Sequence, residues 1–144
     1  MAAEMPVRCS VAVESRPSAL EPSCQEILST LEARGFSQDD IFAVHLALEE
    51  AFLNAVKHGN RMDPTKKVMI DYRVDPEKVE ICMTDEGPGF DPGRIPDPRV
   101  GDNLYRSEGR GLLLIRSYMH TVEYSERGNS LRMVRCKSQP VPKD

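Results

Sequence analysis

Three short strings hold the residue types that could do chemistry. In the first, Glu50, Asn54 and His58 stand four residues apart, the spacing of side chains one helical turn removed from each other. A carboxylate, an amide and an imidazole in line could take a proton, hold a hard cation or meet an anion. The second string is Thr84-Asp85-Glu86-Gly87-Pro88-Gly89-Phe90-Asp91-Pro92. Its acid ends an apolar run and can accept a hydrogen bond from a ligand amine, while Gly87 and Gly89 let backbone approach a flat ring closely. The third is Gly109-Arg110-Gly111-Leu112, read as the opening of a helix, where free amides and the positive dipole end suit a phosphate. Taken singly, each has an ordinary explanation: a hydrogen-bonded helix edge, a turn, a helix start.

Residues 37–58 must form the helix that carries the first string. Ser37 is its expected cap, Asp39 and Asp40 lie in its first turn, and Gly59-Asn60 ends it. At about 100° per residue, Ile41, Val44, Leu48, Ala51, Phe52 and Ala55 share an arc of about 100°. Ala43, Ala47, Glu50, Asn54 and His58 occupy an adjoining arc of about 80°. The chemical residues therefore border the buried face. A half-buried Glu–Asn pair is costly unless it binds something, although an internal hydrogen bond at a solvated edge would also satisfy it.

An earlier helix is expected over residues 18–34, with Leu20, Ile27, Leu28 and Leu31 on one side and Gly35 as its stop. A later one is expected over residues 111–119. Alternating or apolar runs predict strands at 7–14, 67–74, 78–84, 121–125 and 130–136. Residues 85–111 hold six of the nine glycines and four of the eleven prolines, a long loop of the kind that is usually functional. Five strands and three helices imply an α+β fold, a two-layer sandwich with a mixed, mostly antiparallel sheet and the helices on one face.

The 144 residues, 40% hydrophobic and 29% charged, suit one soluble domain over residues 1–137 with a frayed tail at 138–144. A net charge of −4 gives no broad attraction to nucleic acid. No run of about 18 apolar residues could cross a membrane, and no secretory signal opens the chain. Cys9, Cys24, Cys82 and Cys136 lack zinc-site spacing and read as small buried hydrophobes of a reducing cytoplasm. The scattered methionines read as core filling.

There is no Gly-x-x-x-x-Gly-Lys-Ser/Thr phosphate loop. Instead the three strings, in this order, resemble the GHKL superfamily of ATP-binding domains, which includes gyrase, Hsp90, histidine kinases and MutL, with its Bergerat fold. Glu50-Ala51-Phe52-Leu53-Asn54-Ala55 resembles the N box, Asp85-Glu86-Gly87-Pro88-Gly89 the first glycine box and Gly109-Arg110-Gly111-Leu112 the second. Asn54-Ala55-Val56-Lys57-His58-Gly59-Asn60 and the stand-alone domain are most similar to bacterial anti-sigma-factor serine kinases, which work by partner switching.

That resemblance implies ATP and Mg²⁺ as cofactors. It implies Glu50 as general base, Asn54 as the protein ligand of Mg²⁺, and Asp85 as acceptor for the adenine amino group. It further implies nucleotide contacts at His58, Gly87, Gly89, Gly109, Arg110, Gly111 and Leu112, with residues 92–108 as a lid. Either Arg106 or Arg110 would neutralise charge on the transferred group. The implied partners are an anti-anti-sigma antagonist phosphorylated on serine, a sigma factor that is sequestered, and a second copy in a homodimer; nucleic acid and membrane are not implied. Two other roles fit the same strings: a nucleotide-gated regulator without phosphotransfer, and an ATP-binding domain serving a histidine kinase in trans.

Overall fold

The computed structural model describes residues 5–88 and 107–137. Strand β1 (Val7–Glu14) leads through a 3-10 turn (Pro17–Leu20) into α1 (Glu21–Ala33) and α2 (Gln38–Asn54), the latter extended by a π-helical turn (Ala55–Gly59). Then come β2 (Lys67–Val74), β3 (Lys78–Asp85), α3 (Ser107–Tyr118), β4 (Thr121–Tyr124) and β5 (Ser130–Cys136). The anticipated lid lies mostly, and the tail wholly, outside the described residues. No described helix is long and apolar enough to cross a membrane.

Local chemistry explains where the helices begin and end. Gly35 takes φ +81, and Gly35 N and Phe36 N donate to Glu32 O and Leu31 O at 3.1 and 3.0 Å, the paired bonds of a glycine-terminated helix. One residue later Ser37 caps α2: its Oγ accepts from Asp40 N at 3.1 Å while the Asp40 carboxylate accepts from Ser37 N at 3.3 Å. This reciprocal capping box satisfies two otherwise orphaned donors. Helix α3 starts at Ser107, a turn earlier than the sequence suggested. Gly109 and Gly111 thus sit inside its first two turns rather than ahead of it.

The five strands lie in the order β1-β2-β3-β5-β4, and the sheet expected to be mixed is antiparallel in all four pairings. Alternation places Val68, Ile70, Tyr72 and Val74 of β2, Val79, Ile81 and Met83 of β3, and Leu131 and Met133 of β5 in the core. These meet the helix residues Ile27, Leu31, Val44, Leu48, Phe52 and Ile115 in a single buried cluster. The outward side carries polar pairs such as Ser10 with Asp71 and Arg132 with Glu80. Only Cys24 of the four free cysteines is buried. Cys82 alternates with Ile81 and Met83 and so stands on the polar side, against the expectation of a buried thiol. Met83, Met119 and Met133 fill the core, whereas Met5, Met62 and Met69 are exposed.

Helix α2 lies between α1 and α3. Ala43 and Ala47, read as a border, are in fact buried, on a helix that packs against α3. A buried ion pair ties this layer to the sheet. Arg135 of β5 donates from Nε to Asp40 Oδ1 at 2.8 Å and from a terminal nitrogen to Tyr118 O at 2.6 Å, so one guanidinium grips the start of α2 and the end of α3. Asp40 is 0% and Arg135 8% exposed. Removing one member of a buried pair strands the other. Arg135→Met is therefore expected to cost about 3–5 kcal/mol in urea unfolding. The double change with Asp40→Asn should recover a large part of that loss, and a cost below about 1 kcal/mol for the single change would refute the clamp.

Candidate functional site

The ordinary α-helical pattern of α2 stops at Asn54. Asn60 N then donates to Ala55 O at 2.8 Å, a five-residue closure wider than an α-turn and of a kind frequent at functional sites. Glu50 and Asn54 precede the wide turn and are half-buried, one turn apart. His58 lies within it, and its side chain is exposed: the slower winding carries it off the line that uniform helix geometry would share with Asn54. The chain then leaves through Arg61 and Met62, both left-handed at φ 53 and 61. Such residues cost on the order of 1–2 kcal/mol each. Met62 N to Val56 O at 2.8 Å and Asp63 N to Asn60 O at 3.1 Å hold them there.

This helix end is pressed against the end of β3. A methyl group on Gly59 would run into the Asp85 carboxylate, and one on Gly87 would run into the Gly59 carbonyl oxygen. Both positions need glycine because of that close approach. Asp85 Oδ1 accepts from Gly87 N at 2.8 Å; among the described residues no hydrogen bond engages Oδ2. Backbone fixes the acid from the other side, with Asp85 N donating to Asn129 O at 2.9 Å. Burial pushes the Asp85 carboxyl above the usual carboxylate range, opposed by the Gly87 amide and the charge of Lys66. Burial likewise raises the Tyr124 phenol, with the Arg116 charge opposing and the Asp85 charge adding.

Of the residues singled out in the sequence, the structure brings Asp85 and Gly87 together with the end of the helix bearing Glu50, Asn54 and His58. Leu112 is buried on α3, which packs along α2. Gly109, Arg110 and Gly111 lie in the first two turns of α3. A helix leaves free only the amides of its first turn, which here reaches Gly109 but not Arg110 or Gly111. Gly89 and Arg106 fall outside the described residues. Asn60, Gly59, Tyr124 and Asn129 were not read as part of the site. Only the Gly59-Asn60 dipeptide carried a signal: it was read as a helix stop and as the end of the string that resembles the anti-sigma-factor kinases, with no site role of its own.

The donor set suits a hard cation. Glu50 and Asn54 offer oxygen ligands, and among the described residues no group of three or more His, Cys, Asp or Glu side chains is gathered for a metal. A Mg²⁺ ion held by one amide oxygen, with phosphate oxygens and water completing its shell, fits this arrangement. Asp85, a partly desolvated acceptor beside two glycines, suits the amino edge of a flat base.

Comparison with known proteins agrees with this geometry. A serine-protein kinase RsbW from Listeria innocua is 31% identical over 116 residues, 75% of this chain and 74% of its own length. RsbW from Bacillus licheniformis is 34% identical over 97 residues, 61% of this chain and 59% of its own. An anti-sigma F factor from Oceanobacillus iheyensis is 30% identical over 109 residues, 72% of this chain and 74% of its own. A crystal structure of the RsbU and RsbW domains of a Mycobacterium tuberculosis protein superposes with a TM-score of 0.62 at 13% identity, covering 96% of this chain and 35% of that one; it attests the fold. The histidine kinase-like ATPase domain profile matches residues 13–135, strand β1 to strand β5 with all three helices between. The chain belongs to the histidine kinase-like ATPase domain family.

Proposed function

We propose that the chain is an ATP-dependent serine protein kinase of the partner-switching kind, which phosphorylates an anti-anti-sigma antagonist and otherwise sequesters a sigma factor as a homodimer. The observation that carries this reading is the interlock of Gly59, Asp85 and Gly87. It holds the helix bearing Glu50 and Asn54 in fixed relation to a half-buried carboxylate suited to adenine. Relatives named serine-protein kinase and anti-sigma factor support it.

In this reading the adenine amino group donates to Asp85, and the triphosphate runs past Asn54 toward the free amides that open α3. Mg²⁺ there would supply charge neutralisation and alignment of the phosphates. Glu50 accepts the proton of the substrate serine hydroxyl. The serine oxygen forms a bond to the γ-phosphorus as the bond to the bridging oxygen breaks, and ADP leaves with that electron pair. Arg106 or Arg110 would offset the charge spread over the transferred group. The new phosphoserine brings roughly two negative charges to the interface with the antagonist, enough to release it where acidic groups face it.

Glu50→Gln should leave ATP affinity within about threefold of wild type yet slow phosphoserine formation by about 100-fold or more, measured by transfer of labelled phosphate to the antagonist. Retained transfer would remove Glu50 as the base and favour a binding regulator without phosphotransfer. Asn54→Ala should abolish the Mg²⁺ dependence of ATP binding in calorimetry.

Asp85→Asn should weaken ATP binding by about tenfold and also raise the melting temperature of the ligand-free chain at pH 7. The folded chain holds the Asp85 proton more tightly than the unfolded chain, so stability from this group falls as pH rises through the raised value. The melting advantage of the variant should therefore shrink at pH values below the ordinary carboxylate range. An unchanged gap between pH 3 and pH 7, measured where both proteins unfold reversibly, would contradict the burial of this charge.

A further inference from the structure

Asn60 is 0% exposed, and its whole amide is in use. Nδ2 donates to Ser15 Oγ at 3.0 Å and to Lys67 O at 3.0 Å; Oδ1 accepts from Glu86 N at 2.7 Å. The two donated bonds anchor it to the framework, since Ser15 follows β1, is itself buried, and Lys67 opens β2. The accepted bond reaches instead into the turn after β3, at the residue that follows Asp85.

The Asp85 carboxylate is bounded by two pieces of backbone. On one side lies Gly59, whose Cα leaves no room for a side chain; on the other lies the Glu86-Gly87 peptide, which donates Gly87 N to Oδ1. Gly59 is covalently joined to Asn60, and the Glu86 amide is hydrogen-bonded to its side chain. Both boundaries of the carboxylate therefore converge on one residue, whose own backbone nitrogen closes the wide turn at the end of α2.

We infer that Asn60 is the positioning residue for purine choice, holding the Asp85 carboxylate at the angle that accepts a 6-amino group and rejects a 6-oxo group. This rests on the nucleotide reading of the site. A carboxylate aimed at the base edge gains a charged hydrogen bond from adenine and faces a carbonyl oxygen in hypoxanthine, where neither partner can donate. Selectivity of this kind depends on buried polar groups being fixed in place. When the Asn60 amide is removed, the Glu86 peptide loses its acceptor and the Asp85 turn can tilt. The carboxylate remains present but no longer aligned.

The test is calorimetric titration of the full chain with Mg-ATP and Mg-ITP, alongside thermal melting. Wild type should bind ATP more tightly than ITP. Asn60→Ala should reduce that preference about tenfold while changing ITP affinity by less than about twofold. A structural role alone would lower the melting temperature and weaken both nucleotides alike, so a preference equal to wild type in Asn60→Ala overturns the inference. Should that variant not fold, Ser15→Ala decides, because it removes a single acceptor of the Asn60 amide. A preference lowered by about two- to fivefold supports the inference, and an unchanged one overturns it. Wild type that binds neither nucleotide defeats the kinase reading and this inference with it; wild type that binds ATP and ITP equally defeats the inference alone.

Discussion

The pair formed by the Asp40 carboxylate and the Arg135 guanidinium, 2.8 Å apart and almost wholly withdrawn from water, fixes where the central helix begins. Neither charge could be buried alone at tolerable cost, so the two ends of the chain region they belong to must meet. The same guanidinium also caps the end of α3 through Tyr118 O, which brings the helix with the glycine-rich string alongside the helix with Glu50 and Asn54. At the far end of α2, Asn60 performs the equivalent task with a neutral amide. Held at both ends by long-range polar contacts and along its length by apolar packing, α2 is a rigid bar on which a base and a cation ligand can be displayed at set positions.

Among the described residues, several energetic costs gather at one place. The consecutive left-handed residues Arg61 and Met62, the wide turn of Ala55–Gly59 and the desolvated Asp85 carboxylate all lie where α2 meets β3. A purely structural junction would have no reason to half-bury an acid that prefers water, or to replace an α-turn with a rarer one. Strain maintained by surrounding structure is common at ligand sites. Here the surroundings that maintain it are the apolar cluster beneath α2 and the antiparallel ladder between β2 and β3. The fully buried amide of Asn60 joins this junction to β1, β2 and the turn after β3.

Much of this was legible in the residues themselves. The capping box at Ser37, the glycine stop at Gly35 and the alternation of β2, β3 and β5 act over one turn or one pleat, so adjacent residues suffice to announce them. The three strings with Glu50, Asp85 and Gly109 were recognisable because ligand chemistry restricts both residue type and spacing. The register of α3 was less legible, since Ser107 and Glu108 are as compatible with a loop as with a first helical turn. Uniform helical geometry also placed His58 in line with Asn54, and no local rule foretold the change of pitch at Ala55 that turned it outward.

By itself the sequence determined the elements, the buried face of α2 and the set of residues with chemical capacity, because those depend on periodicity and on side-chain type. Tertiary structure alone decided which of them meet. Asp40 and Arg135 stand 95 residues apart in the chain, and Asn60 and Glu86 stand 26 apart. Their pairing depends on the strand order β1-β2-β3-β5-β4, in which β5 inserts beside β3 and leaves β4 at the edge. The Gly59–Asp85–Gly87 interlock is of the same kind. A glycine announces freedom to approach, but what approaches it is settled only when distant backbone is packed together and every buried polar group must find a partner.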